Sequence, residues 1–224
     1  DGVKGYEAVK GRMTSVWDMT VGDGNTVYVA GQNKDGQGGH VLAYHPGSGW
    51  SLLKGADPVE VGQTDVRSIS YENGKLYAAT GTTKPQVYQI DTKTGEKAVV
   101  PLPADMFANG LMPYLTVKAG ILYAKNMRDD GTVADNLTTK ELTGASGAVV
   151  TRPGETSKVY YTLQERNSGL TQLVEYDPAT KSETPLVKDA NLMPRLSPNS
   201  WVNHDLFVSS EMSTDSLSIY RAGA

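Results

Sequence analysis

The chain has 224 residues, with 21 Lys and Arg against 25 Asp and Glu, a net charge of −4 and no Cys. The acidic balance offers no basic footprint for nucleic acid or anionic lipid. No apolar run reaches the roughly 18 residues of a membrane-spanning helix, and without Cys there are neither disulfides nor thiolate metal ligands.

In chain order, residues 2–10 (GVKGYEAVK) read as a short strand standing before the first repeat. Residues 12–18 (RMTSVWD) lead into an inner strand, the turn GDGNT follows, and the tetrad VYVA starts at Val27. A third strand starts at Val41 (VLAY) and ends in the turn HPGSG, and residues 50–55 (WSLLKG) give a fourth. The next repeat runs through QTDVRS at residues 63–68, the turn ENGK, LYAA from Leu76, VYQIDTKTG from Val87 and KAVVPL at residues 97–102. A third repeat has NGLMPY at residues 109–114 and LYAK from Leu122, with its outer half somewhere within residues 129–144. The fourth has TGASGA at residues 143–148, VYYT from Val159, LVEYDPATK from Leu173 and SETPLVK at residues 182–188. The fifth has RLSPNSW at residues 195–201, LFVS from Leu206 and LSIYR from Leu217, and then lacks a fourth strand.

The apolar-aromatic-apolar tetrads start 49, 46, 37 and 47 residues apart. Turn residues before each tetrad spell a β-hairpin, and period-two alternation continues it into a meander. Four antiparallel strands repeating every 40 to 50 residues or so match a propeller blade. The expected fold is therefore an all-β propeller of five four-stranded blades. Its blades fall at about residues 12–60, 61–108, 109–144, 145–194 and 195–224 with residues 1–11, in one domain. Residues 2–10 are expected to supply the strand missing from the last blade and so close the ring, which removes a bare sheet edge. A competing expectation is a piece of a larger propeller, in which those residues belong to a preceding blade.

At YDPATK, IDTKTG and YHPGSG, each following a VYVAG- or LYAAT-like strand, the repeats resemble the bacterial YVTN-like and PQQ-like propellers. That resemblance implies a β-propeller in an exported, secreted or cell-surface bacterial protein, and 24 Gly and 12 Tyr without Cys suit such a protein. The motif carries fold and not chemistry. Trp occurs only at positions 17, 50 and 201, so the tryptophan docking motifs of PQQ dehydrogenases are missing and no cofactor is expected.

Ligands of propellers use the face where chains enter the inner strands. Glycoside hydrolysis needs two carboxylates placed across the scissile bond, and only Asp18 and Asp65 lie near inner-strand entries. The His residues at 40, 45 and 204 are scattered, and His45 takes the turn position held elsewhere by Asp91 and Asp177. A calcium site from Asp18, Asn126, Glu165 and Asn199 would resemble that of the lactonase propellers, without a diagnostic motif. Flat rings beside polar groups suit sugars. The candidate binding residues are therefore Trp17, Asp18, Arg67, Tyr114, Arg128, Asn199 and Trp201. The expected function is non-catalytic recognition of a glycan or other small extracellular ligand. Alternatives are a metal-dependent lactonase-like hydrolase, the propeller of a polysaccharide-degrading enzyme, and a protein-binding scaffold.

Overall fold

The computed structural model describes residues 2–33, 38–81, 86–102, 114–125, 131–135, 138–142, 145–152, 155, 157–164, 171–189, 194–195, 201–202, 205–210 and 217–221. These form antiparallel sheets with one helical turn, α1 (Tyr6–Val9), and a short 3₁₀ turn at Asp23–Asn25. The chain divides into two compact units, residues 1–117 and 118–224.

In the first unit β1 (Ser15–Val21), β2 (Val27–Gln32), β3 (Val41–His45) and β4 (Gly49–Leu52) make one meander. β5 (Asp65–Glu72), β6 (Lys75–Gly81), β7 (Gln86–Asp91) and β8 (Lys97–Val100) make a second, joined to the first by the single pairing of Gln32 with Asp65. The third sheet has the order β12-β11-β10-β9, from β9 (Tyr114–Lys118), β10 (Ile121–Lys125), β11 (Gly131–Asp135) and β12 (Thr138–Leu142), and the division between units falls within β9. The outer half that sequence pattern left unplaced is thus β11 and β12. In the second unit β13 (Ala145–Val150), β14 (Val159–Gln164), β15 (Thr171–Asp177) and β16 (Ser182–Asp189) form the next meander. The last sheet has β17 (Pro194–Arg195) and β18 (Trp201–Val202) on one edge of β19 (Asp205–Ser210) and β20 (Leu217–Arg221) on the other, so its inner strand is in two pieces.

Local chemistry explains the turns. Asn73 and Gly74 between β5 and β6, and Ala119 and Gly120 between β9 and β10, all have positive φ, as a two-residue type I′ hairpin requires. After β7 the Asp91 carboxylate accepts backbone N–H groups from Lys93 and Thr94 at 2.9 and 2.8 Å, and after β15 Asp177 accepts from Ala179 at 2.9 Å. His45 does the same after β3, its Nδ1 accepting the Gly47 N–H at 3.1 Å.

Two cores hold the first unit. One face of the first sheet, with Tyr28, Ala30, Val41 and Ala43, packs on Val66, Ile69, Leu76, Ala78 and Ile90 of the second. The opposite face of the first sheet, with Val29 and Leu42 flanked by Val27, Trp50 and Leu52, is covered by Val9 and Met13. In the second unit Ile121, Tyr123, Val159, Tyr161, Val174 and Tyr176 form one cluster.

That second core corrects an expectation. Residues 2–10 do not form the expected strand: residues 6–9 are helical, and they neighbour β4, where the Trp50 N–H donates to the Lys4 carbonyl at 2.9 Å. Gly5 and Gly49 allow this seat. Both have positive φ, and a Cβ on either would run into the other segment's backbone, Trp50 for Gly5 and Lys4 for Gly49. Burying Val9 against Val29 and Leu42 favours the helical turn over an extended edge.

Candidate functional site

The first two inner strands share an irregularity. Along β1 and β2 the pairing steps from Val16 with Gly31 to Asp18 with Ala30, leaving Trp17 as an extra residue. Along β5 and β6 it steps from Val66 with Thr80 to Ser68 with Ala79, leaving Arg67 extra. A bulge re-aims the side chain it carries. Here successive bulges bring their side chains together, with the Arg67 guanidinium carbon 3.7 Å from the Trp17 ring centre. Gly31 is tied to this geometry, because a Cβ opposite Val16 would meet the Ser15 carbonyl and the Met13 side chain.

Beneath the pair, the Trp17 Nε1–H donates to Asp65 Oδ1 at 2.9 Å, and the Thr64 hydroxyl donates to Asp65 Oδ2 at 3.1 Å. Asp65 is buried with both oxygens engaged. Its negative charge at the indole N–H strengthens the ring's attraction for a cation on its face. Asp18 has a different task. Its Oδ2 accepts the Ile69 N–H at 2.9 Å and its Oδ1 the Met19 N–H at 2.8 Å, so it ties β1 to β5. Ser70 ties β5 to β9 by accepting the Val117 N–H at 2.9 Å. Burial pushes the Asp18 carboxyl up to about 6, against the two backbone N–H groups that pull it down.

A second polar cluster braces the segment that leads to Asp65. His40 is fully buried; its Nε2 accepts from Asn33 Nδ2 at 2.8 Å, and its Nδ1 lies 2.7 Å from Asp57 Oδ1. Arg12 stands 3.8 Å from the same Asp57 oxygen.

Next to the bulge, β1 is open. Val16 is 55% exposed, Trp17 43%, Met19 47% and Val21 60%. Met19 and Val21 pair with Val29 and Val27, so they continue the face that α1 covers further out on the sheet. The row escapes notice in the sequence because its alternation, WDMTV, is that of any strand; the repeat alignment of SVWDM with DVRSI is the signal that would have matched the bulges.

Of the residues expected to bind, the structure joins Trp17 and Arg67 directly and places Asp18 one residue along. Tyr114 opens β9, half-buried, with no hydrogen bond or ring contact to Trp17 or Arg67 among the described residues. Trp201 lies in β18 of the second unit. Arg128 and Asn199 lie outside the described residues, as do Asn126 and Glu165 of the expected calcium set. Asp18, the remaining member, spends both oxygens on backbone N–H groups. Among the described residues no three His, Asp or Glu side chains are close enough to hold a metal.

No family model and no curated protein matches the chain. Solved structures do. It is similar to a chain of a Nidogen/Laminin complex at TM-score 0.53 and 11% identity, covering 88% of this chain and 78% of that one. It is similar to U3-55K at TM-score 0.58 and 11% identity, covering 92% of this chain and 61% of that one. It is similar to a puromycin hydrolase at TM-score 0.54 and 12% identity, covering 80% of this chain and 31% of that one. At such identities the likeness carries fold alone: antiparallel four-stranded sheets repeated as in a β-propeller.

Proposed function

We propose that the chain is a non-catalytic recognition module whose five repeats are successive propeller blades, and that it binds a protein partner through the open face of β1. One observation carries this reading, the exposed row of Val16, Trp17, Met19 and Val21. Scattered exposed apolar residues are ordinary, but several gathered along one strand mark an interaction surface. The row is aliphatic on both sides of the indole, whereas a sugar needs polar groups to receive its hydroxyls. A Nidogen/Laminin complex among the similar structures is compatible with a propeller that holds a protein. In this proposal the module works outside the cell, as the resemblance of its repeats implies.

A glycan platform is the second reading, favoured by Trp17, whose indole is 43% exposed with Arg67 against one of its faces. Display of random peptides and a glycan array, each probed with the protein and with Met19→Asp, distinguish the two. The protein-binding reading expects selected peptides whose binding disappears in Met19→Asp and an array without signal. Array signal that Met19→Asp leaves intact and Trp17→Ala removes would replace it with the sugar reading.

A further inference from the structure

Arg67 is a half-buried cation whose one described interaction is the stack on Trp17. Among the described residues no carboxylate, carbonyl or hydroxyl accepts from it, although Asp65 and Asp18 sit on the same two bulged strands. Their oxygens are already taken, those of Asp65 by the Trp17 indole and the Thr64 hydroxyl, those of Asp18 by the backbone of Met19 and Ile69. A guanidinium over an indole face leaves the N–H donors of its own plane directed outward, away from the ring centre. Partly desolvated donors left without acceptors carry a free-energy cost. A group that supplies two coplanar oxygens relieves that cost and fits the fork.

We infer that Arg67, stacked on Trp17, is the recognition point for a carboxylate on the partner: an acidic side chain flanked by an apolar residue that lies along Met19 and Val21. This rests on the protein-binding reading above and adds the chemistry of what is bound. Charge complementarity selects the occupant. The protein as a whole is acidic, with a net charge of −4, so a general attraction for acidic partners is absent and the Arg67 guanidinium sets the register. The aliphatic row supplies contact area, and the arginine decides which peptide sits on it.

The test uses peptides of twelve residues selected by display against the whole protein, then titrated against the protein, Arg67→Gln, Arg67→Lys and Met19→Asp. The selected peptides are expected to be enriched in Asp or Glu beside an apolar residue. Arg67→Gln is expected to weaken them by about tenfold to a hundredfold, and Arg67→Lys to recover only part of that because it lacks the fork. Replacing the acidic residue of the peptide by its amide should weaken binding equally and should no longer matter in Arg67→Gln, a control that holds even where a variant folds poorly. Peptides without acidic enrichment that bind Arg67→Gln as tightly as the parent, yet are lost in Met19→Asp, overturn the carboxylate and leave the protein-binding face standing. Selection of no peptide, or binding indifferent to Met19→Asp, overturns both. Binding of uronic-acid oligosaccharides that depends on Arg67 would move the carboxylate to a sugar and overturn the peptide source.

Discussion

β1 and β5 are the same strand twice, with opposite surroundings. Each is the first strand of its sheet to follow a loop, each carries a bulge at the same register, and Met19 on one corresponds to Ile69 on the other. Yet Met19 is 47% exposed and Ile69 is 0% exposed. The difference lies in neighbours. Ile69 faces the first sheet, with Tyr28, Ala30 and Ala43 in one core, whereas among the described residues the corresponding face of β1 is covered toward the sheet's outer strands, where α1 lays Val9 over Val29 and Leu42. A blade's inner strand does not encode whether it is covered; the element packed on it does.

The largest test of that contrast is a matched pair of truncations. Ile69→Ala removes fully buried atoms and should cost about 2–5 kcal/mol. Met19→Ala should stay within about 0.5 kcal/mol. Urea unfolding of both variants gives the comparison directly, and an equal loss for Met19→Ala would mean that the β1 face is covered in solution and unavailable to a partner.

The cap comes next. Val9→Asp places a carboxylate in the apolar layer between α1 and the first sheet and should cost about 2–4 kcal/mol. It should also raise binding of a hydrophobic dye, because Val29, Leu42 and Trp50 become accessible. An unchanged melting temperature would show that α1 does not hold that face.

How much of this contrast the sequence revealed depends on how local its cause is. The hairpins and Asx turns were readable because Asn73, Gly74, Asp91 and Asp177 act on backbone only two or three residues away. α1 is not legible, although Val3, Tyr6 and Val9 recur at a helical spacing of three, because nine residues with that pattern also fit an extended edge. β11 and β12 lack the aromatic tetrad and offer only short polar segments, TVAD and TTKEL. Trp17 and Arg67 were both legible as inner-strand residues, but their contact required two bulges in successive sheets to be in phase. Exposure of the β1 row was illegible altogether, since it is set by packing partners distant in sequence.

A smaller effect is written in the pH dependence. Asp18 ties the two strands with a carboxyl raised to about 6 from its ordinary 3.8. A folded-state value above the unfolded one means that the folded chain holds the proton more tightly. Asp18 therefore contributes stability that is complete below about pH 4 and is lost as pH rises through about 6, amounting to about 1–3 kcal/mol. Unfolding free energies measured from pH 4.5 to 7.5 should fall more steeply with pH in the parent than in Asp18→Asn. Parallel curves would show that Asp18 titrates normally and that its burial between β1 and β5 does not persist in solution.

The smallest expected effect is the stack itself, and it asks whether two bulges in phase do more than meet. A guanidinium over an exposed indole contributes about 0.5–1 kcal/mol. Trp17→Ala alone should cost more than Arg67→Ala alone, because it also takes a hydrogen-bond donor from the buried Asp65 carboxylate. The double variant isolates the pair: a coupling of about 0.5–1 kcal/mol between the two positions is expected, and it should shrink when Asp65→Asn removes the negative charge at the indole N–H. Additive single effects would mean that the rings are merely adjacent and that Arg67 is not held flat at the indole. In that case the guanidinium has no fixed plane to present to a carboxylate, and only the aliphatic part of the β1 face remains to choose a partner.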